Sequence, residues 1–229
     1  MCGTCACGEA AAPIRQVSLR QRVLAHNDSH AATNRQRFRA AGVRVLNLLS
    51  SPGSGKTALL ERLASDWGEP ETMAVLVGDL ATDLDAQRLR AAGLPAVALT
   101  TGQACHLEAS MVERGVEALA AEGVSLAALR WLLIENVGNL VCPAAYDLGE
   151  DLRVVLLGVG EGEDKPLKYP AMFRSADVVV ISKIDLAEAV GFDRQAALAA
   201  LARVAPQAAV VEVSARSGAG IGRLRELCG

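Results

Sequence analysis

The amino-acid sequence predicts an α/β protein whose mostly parallel sheet is covered by helices on both faces. Short runs rich in Val, Leu and Ile alternate along the chain with segments of helical periodicity. This alternation is typical of parallel sheets, whose strands are buried on both sides. With 229 residues and 51% hydrophobic content, the chain can bury one large core. Aromatic residues make up only 3%, so Ala, Val and Leu are expected to fill that core.

The chain divides into three parts. Residues 1–13 are rich in Ala and Gly without apolar periodicity, which predicts a flexible tail. Residues 14–42 have apolar residues at helical spacing and predict a helical extension of one or two helices. Residues 43–229 form the α/β domain. Its predicted strands are 43–49, 72–77, 95–99, 130–134, 154–159, 178–181 and 210–213, and its predicted helices include 56–67, 83–92, 107–121, 193–204 and 221–227.

A glycine-rich loop joins the first strand of this domain to the next helix. It reads Ser-Ser-Pro-Gly-Ser-Gly-Lys-Thr from Ser50, with serine where the first glycine of a P-loop usually stands. Backbone N–H groups of such a loop bind phosphate oxygens. Lys56 is expected to reach the β- and γ-phosphates and Thr57 to hold Mg²⁺, so the domain is predicted to be a P-loop NTPase. The predicted nucleotide contacts here are Gly53, Ser54, Gly55, Lys56, Thr57 and Ala58.

Two later segments predict which base is bound. Ser182-Lys183-Ile-Asp185 follows a buried strand and resembles the N-K-x-D loop of GTPases. The Asp185 carboxylate would accept hydrogen bonds from guanine N1 and N2, a donor pair that adenine lacks. Lys183 would lie along the ring, while Ser182 in place of Asn removes one contact. Ser214 and Ala215 follow the last strand, where GTPases present a backbone N–H to guanine O6, so we expect GTP and GDP as ligands.

Acidic residues end two more of the predicted strands. Asp79 and Glu135 stand at strand ends, and Asp83 follows Asp79 by four residues. Carboxylates at such positions bind Mg²⁺ or orient the attacking water. For Asp83 a helix N-cap is an equally good interpretation. The predicted catalytic residues are Lys56, Asp79, Asp83 and Glu135, and the predicted Mg²⁺ ligands are Thr57, Asp79 and Glu135.

Three cysteines lie within the first seven residues. Cys2 and Cys5 form a C-x-x-C pair and Cys7 follows two residues later. Thiolates select borderline and soft metal ions. The tail is therefore predicted to bind one such ion.

A second predicted metal site combines Cys105, His106 and Cys142. The pair Cys105-His106 is expected at the start of a helix. All three residues would follow carboxyl ends of strands, where parallel α/β sheets bind ligands. Two thiolates and an imidazole suit Zn²⁺ or Ni²⁺. The alternative is that both cysteines are small buried hydrophobes, the commonest role of a free cysteine.

The remaining cysteine and the other two histidines are predicted to be structural. Cys228 lies in a predicted C-terminal helix without a neighbouring ligand. His26 and His30 share a helix face at i, i+4, but their polar surroundings favour a solvated surface over a metal site.

Composition argues against several classes of protein. The net charge is -3 without a basic stripe, so nucleic acid is not expected as a partner. No apolar run approaches the ~18 residues of a membrane span, and the first residues do not form a signal peptide. We therefore expect a cytoplasmic protein, whose cysteines are metal ligands or free thiols.

Together these motifs resemble the HypB family of hydrogenase nickel-incorporation GTPases. That family belongs to a group of P-loop GTPases that also contains the urease and cobalamin accessory GTPases. The similarity extends over the whole chain and is carried by residues 46–57, 78–83, 135–143 and 164–170.

The resemblance implies two metal sites and a dimer. Residues of the family that match Cys105, His106 and Cys142 bind zinc or nickel at a GTP-dependent dimer interface. An N-terminal C-x-x-C-G-C forms a separate nickel site, and here Ala6 replaces its glycine. Lysines near Lys165 are implicated in contacting nucleotide across the dimer.

The expected function is that of a GTP-hydrolysing nickel metallochaperone for nickel–iron hydrogenase maturation. Its cofactors would be GTP/GDP, Mg²⁺, Ni²⁺ and Zn²⁺. Its partners would be a second copy of the chain, nickel-handling accessory proteins and the hydrogenase large-subunit precursor. The alternatives are a urease-type nickel accessory GTPase, a metal-storage module with weak nucleotide binding, and a P-loop kinase acting on a small metabolite.

Overall fold

The computed structural model describes residues 12–67, 69–102 and 104–229, with side chains from residue 21 onward. The predicted metal ligands Cys2, Cys5 and Cys7 lie outside the described residues. The helical extension is a single helix, α1 (Ala12–Ala41), which ends before Gly42 as the sequence predicts.

Seven strands form one sheet in which every described pair is parallel. The strands are β1 (Arg44–Ser50), β2 (Met73–Asp79), β3 (Ala96–Thr100), β4 (Trp131–Glu135), β5 (Leu152–Gly158), β6 (Val178–Ser182) and β7 (Ala209–Val213). Their spatial order is β3-β2-β4-β1-β5-β6-β7. β1 lies between β4 and β5, neither of which is next to it in the chain. The loops that follow these central strands lie together at their carboxyl ends, where such sheets bind ligands. This confirms the predicted fold class.

The sheet is covered by helices on both faces. In the described part of the chain, seven helices follow α1: α2 (Lys56–Trp67), α3 (Leu84–Ala91), α4 (Ala109–Ala121), α5 (Lys165–Lys168), α6 (Pro170–Arg174), α7 (Arg194–Val204) and α8 (Ile221–Cys228). Short 3₁₀ turns fill several of the connections. Within the described ranges, none of the helices is both long and apolar enough to cross a membrane.

The core is divided by the sheet, because successive side chains of a strand point to opposite faces. On one face Leu46 and Leu48 of β1 pack with Leu60 of α2. On the other face Val45 packs with Phe38 of α1 and residues of α4. Val, Leu and Ala supply most of the buried side chains, as the low aromatic content predicts.

Two buried asparagines attach α1 to the rest of the molecule. The Asn27 side chain donates to the Asp147 carbonyl (2.8 Å) and accepts from the Ala109 N–H (2.9 Å). The Asn34 side chain donates to the Ala109 carbonyl (2.8 Å) and the Leu148 carbonyl (3.1 Å). Buried polar groups stabilise a fold only when they are paired, so these contacts fix the position of α1 on the domain.

The start of α4 differs from the sequence-based prediction. Cys105 and His106 were expected at the beginning of this helix, but the helix begins at Ala109 and both residues lie in the loop before it. The Ala109 N–H, one of the groups that a helix leaves unpaired at its N-terminus, is taken by the Asn27 side chain. That contact with α1 could not be read from the local sequence.

Candidate nucleotide site and metal centre

The carboxyl ends of β1, β2 and β4 open into a cleft of about 520 Å³. Its walls are the glycine-rich loop, the end of β2, and the segment after β4. The cleft brings together most of the predicted phosphate and catalytic residues and one residue predicted to contact the base, Lys183. The phosphate and catalytic residues are Gly53, Gly55, Lys56, Thr57, Ala58, Asp79 and Glu135.

The glycine-rich loop has the backbone that phosphate binding requires. Gly53 (φ 75°) and Gly55 (φ 97°) both adopt the left-handed region that favours glycine. The ammonium group of Lys56 donates to Ser50 Oγ at 3.0 Å, so the serine at the usual glycine position anchors the lysine within the loop. Burial lowers the pKa of Lys56. The loop therefore holds a desolvated cation ready for a phosphate.

Thr57 and Glu135, two of the three residues predicted to bind Mg²⁺, are bonded to each other. The Thr57 hydroxyl donates to Glu135 Oε1 at 2.9 Å. Glu135 Oε2 is buried and has no hydrogen-bond partner among the described residues. A buried carboxylate oxygen with no donor is unfavourable unless a further positive group joins it. The residues present therefore fit a hard divalent cation with oxygen ligands.

The acidic residues after β2 take different roles. Asp79 lines the cleft, and its carboxylate accepts from the N–H groups of Ala81 and Thr82, both at 2.9 Å. The Ala81 contact is the main cause of a lowered Asp79 pKa. Asp83 lies outside the cleft lining and contacts Gln87, whereas Asp85, two residues later, lines the cleft. Asp85 is not one of the predicted catalytic residues. Both acids lie at the start of α3, and the fold places Asp85, not Asp83, in the cleft wall.

A second pocket, of about 250 Å³, adjoins the cleft at the predicted guanine site. Asp185, Lys183 and Ala215 line it. Ser214 lies just behind, and its hydroxyl donates to Asp185 Oδ1 at 2.6 Å. This contact fixes the carboxylate that is expected to read guanine.

Ser182 joins the base loop to the phosphate loop. Its hydroxyl donates to the Ser54 carbonyl at 2.7 Å, and Lys183 Nζ donates to the Gly53 carbonyl at 2.6 Å. The sequence suggested that serine at this position loses a contact. The structure shows that the short side chain still bridges the two loops.

Sequence reasoning missed two residues that support these loops. Arg62 of α2 donates to the carbonyls of Ala215 and Arg216, both at 3.2 Å, and so holds the base loop from below. Glu161 accepts from the Ser54 hydroxyl at 2.6 Å. Both contacts join positions far apart in the chain, so no local pattern indicates them.

Cys105, His106 and Cys142 meet at the predicted metal site. Their potential ligand atoms all lie within 4.8 Å of one another, and they are the one such group of three His, Cys, Asp or Glu found in the described part of the chain. The two Sγ atoms are 2.7 Å apart. The His106 ring stacks on Tyr146, with centroids 3.8 Å apart, and burial lowers the pKa of His106. A neutral imidazole beside two thiols is a donor set for Zn²⁺ or Ni²⁺.

The third thiol of the described residues, Cys228, and the two remaining histidines have the structural surroundings that the sequence predicts. Cys228 is 1% exposed within the core, and burial raises its pKa to about 12. Such a thiol stays protonated and is a poor metal ligand. On the surface, His30 Nδ1 lies 3.0 Å from Glu113 Oε2, and His26 packs edge-on against the His30 ring.

Known proteins resemble this chain over most of its length. Residues 44–212 match the family model described as CobW/HypB/UreG, nucleotide-binding domain. The chain is 52% identical over 208 residues to the hydrogenase maturation factor HypB of Azotobacter chroococcum, covering 91% of this chain and 67% of that protein. The chain belongs to the HypB family.

Two further HypB relatives extend the comparison. The hydrogenase/urease maturation factor HypB of Helicobacter pylori is 46% identical over 202 residues, which cover 88% of this chain and 82% of that protein. The crystal structure of H. pylori HypB in complex with nickel superimposes with a TM-score of 0.83 at 44% identity, covering 88% of this chain and 92% of that one. The HypB resemblance seen in the sequence is thereby confirmed.

Glu135 is expected to make the stability of the nucleotide-free protein depend on pH. Burial raises its pKa from 4.5 to about 7. The folded protein then holds a proton that the unfolded chain releases, so the free energy of unfolding should fall as the pH rises from about 4.5 to about 7. Glu135→Gln should be more stable than the wild type at about pH 8, by on the order of 3 kcal/mol.

Urea denaturation of both proteins across this pH range, with EDTA and without nucleotide, measures the effect. Asp83→Asn, which alters an exposed acid outside the cleft, serves as the control. Parallel stability profiles for Glu135→Gln and the wild type would contradict the assignment of a raised pKa to this carboxyl.

Proposed function

We propose that this chain is a GTP-hydrolysing metallochaperone that delivers nickel for the maturation of nickel–iron hydrogenases. The observation that carries the proposal is the placement of two sites at one edge of the sheet. β4 ends at Glu135 in the phosphate cleft, and the loop that follows leads to Cys142 in the metal cluster. A nucleotide and a metal ion would therefore contact the same stretch of chain.

Hydrolysis would depend mainly on positioning and on neutralising phosphate charge. Lys56 would bind the β- and γ-phosphate oxygens, and the N–H groups of the glycine-rich loop would bind the others. Thr57 Oγ1 and Glu135 Oε2 would hold Mg²⁺, which supplies positive charge at the phosphates when bound. Asp79 at the cleft wall would orient the attacking water, a role its lowered pKa suits because the carboxylate stays ionised. Asp83 would take no part in hydrolysis, and Asp85, which lines the cleft, would be the second acid beside the phosphates.

Nickel would be the cargo of the inner site, and zinc a competing occupant. Cys105, His106 and Cys142 offer three ligands, and a fourth position is left for water or for a residue of a second copy. We propose that GTP brings two copies together at this face and that hydrolysis separates them. Lys165, the first residue of α5, would contact the nucleotide of the second copy.

The N-terminal cysteines Cys2, Cys5 and Cys7 would form a separate capture site for nickel. Transfer would then run from accessory nickel-binding proteins through these thiols and the inner site to the hydrogenase large-subunit precursor. A second candidate target is a urease precursor, because the H. pylori relative at 46% identity is a hydrogenase/urease maturation factor.

The deciding experiment measures nickel and zinc affinity of the wild-type chain with GDP and with a non-hydrolysable GTP analogue, each with Mg²⁺. We expect the affinity of the inner site to differ between the two states by about 5- to 150-fold, the usual range for coupled sites. GTP, but not ATP, should be turned over, and the analogue should shift the chain to a dimer in light scattering. Equal metal affinity in both states without turnover would instead indicate a metal-storage module.

A further inference from the structure

A buried asparagine lies between the phosphate cleft and the metal cluster. Asn136 directly follows Glu135 and is 2% exposed. Its Oδ1 accepts from the N–H of Leu107, the residue after His106, at 3.2 Å, and from its neighbour Val137 at 2.9 Å. One side chain therefore joins the segment after β4 to the loop that carries two metal ligands.

Glu135 and Asn136 act on opposite faces of the sheet. Leu133 of β4 packs in the core beneath α2, on the side where Glu135 meets Thr57. Ile134 packs in the core beneath α4, on the side where Asn136 meets Leu107. Adjacent residues of an extended chain alternate in this way. A shift of this backbone at the phosphate side must therefore be accompanied by a shift at the metal side.

The same side chain is part of a longer buried network. Asn136 Nδ2 donates to Asn47 Oδ1 (3.3 Å), and Asn47 Nδ2 donates to Glu150 Oε1 (3.2 Å). Glu150 Oε2 then accepts from the Leu148 N–H at 2.7 Å. Leu148 lies two residues after Tyr146, whose ring stacks on His106. The network thus contacts two segments beside the metal cluster, one at Leu107 and one at Leu148.

The network also extends to the phosphate loop. Asn47 lies in β1, the strand that leads directly into that loop. Gly138, two residues after Asn136, packs so closely on the loop that an added Cβ would lie 2.8 Å from the Pro52 Cα. Buried polar groups are costly when unpaired, so we expect the members of this network to move together and keep their hydrogen bonds.

We propose that Asn136 is the positioning residue through which the nucleotide state of the cleft sets the geometry of Cys105 and His106. This proposal rests on the proposed function, and it adds the route by which the two sites communicate. Asn136 is part of the cleft wall, but its side chain is bonded to Leu107, Val137 and Asn47 and has none of the phosphate, Mg²⁺ or metal-ligand roles proposed above. Its amide oxygen accepts from the Leu107 N–H and so fixes the loop that carries Cys105 and His106. Movement of the Glu135 backbone would shift this oxygen and with it that loop.

The test is the ratio of nickel affinities with the GTP analogue and with GDP, for the wild type and for Asn136→Ala. We expect the wild-type ratio to fall to within about twofold of one in the variant, because the coupling free energy is lost. A purely structural role would lower both affinities together and leave the ratio unchanged, which would overturn the proposal.

Asn34→Ala is the matched control. Asn34 is equally buried and donates two hydrogen bonds, to the carbonyls of Ala109 and Leu148, where the Asn136 side chain makes three. Neither hydrogen bond involves residues 136–138, the segment that directly follows β4. We expect Asn34→Ala to keep the wild-type ratio, and loss of the ratio in both variants would contradict a specific role for Asn136.

A measurement on the wild type keeps the proposal testable if Asn136→Ala does not fold. Hydrogen exchange at the Leu107 amide, whose acceptor is Asn136 Oδ1, should differ between the GDP and analogue states. Unchanged exchange there would overturn the proposal. A wild type without any nucleotide-dependent metal affinity would instead refute the proposed function itself, so the two failures are distinguishable.

Discussion

Replacing Lys56 with alanine is expected to lower GTP turnover by at least about 100- to 1,000-fold, the effect of removing one preorganised donor to a developing charge. The lysine is buried at the base of the cleft, and Ser50 directs its ammonium group into the loop. Burial lowers its pKa, so the desolvated charge is available to phosphate oxygens without competing water. The assay is phosphate release from GTP under saturating Mg²⁺, together with GDP affinity.

The variant should remain folded, because a desolvated ammonium adds little to the stability of the nucleotide-free protein. Thermal unfolding without nucleotide checks this. Arg203→Ala, which removes an exposed cation from α7, is the control for a simple loss of charge. If Lys56→Ala turned GTP over at the wild-type rate, the cleft could not be the hydrolytic site.

Replacing Cys142 with serine is expected to weaken nickel and zinc binding at the inner site by more than about 100-fold, since loss of outer-shell partners alone costs 10- to 100-fold. The hydroxyl is a harder and less acidic donor than the thiol it replaces. The remaining Cys105 and His106 would then bind as a bidentate site. Competition with a chelator of known affinity measures the change.

The N-terminal thiols must be removed from this measurement, so the comparison is made in a Cys2→Ala, Cys5→Ala, Cys7→Ala background. Cys228→Ala is the control, because it removes a thiol from the core without touching the cluster. An unchanged affinity in Cys142→Ser would show that Cys142 is not a ligand and that its approach to Cys105 has another purpose.

The order of strands and helices could be predicted from the sequence because each element carries its own periodicity. The phosphate loop is equally local, and its eight consecutive residues fold as the pattern predicts. The inner metal site was predicted from residue chemistry and strand-end placement, and the structure brings those three side chains together. The sequence did not show how deeply Cys105 and Cys142 are buried, and burial is what distinguishes a metal ligand from a small core residue.

Contacts between distant segments could not be predicted. Serine at position 182 looked like a lost contact because its acceptor, the Ser54 carbonyl, is 128 residues away. Asparagine is common in loops and rare in strands, so the sequence gives no sign that Asn47 and Asn136 are buried. No spacing rule pairs them with each other or with Glu150. Polar networks of this kind depend on the assembled sheet, so they are visible only in three dimensions.

The attachment of α1 by Asn27 and Asn34 has a consequence for how the chain can be shortened. A protein begun at residue 43, where the sequence suggests a boundary, would uncover the Ala109 N–H and the carbonyls of Asp147 and Leu148. It would also expose the apolar surface that Phe38 covers. We therefore expect a chain begun at residue 43 to be less stable than one that keeps α1, so expression of an isolated nucleotide-binding fragment should start upstream of Asn27.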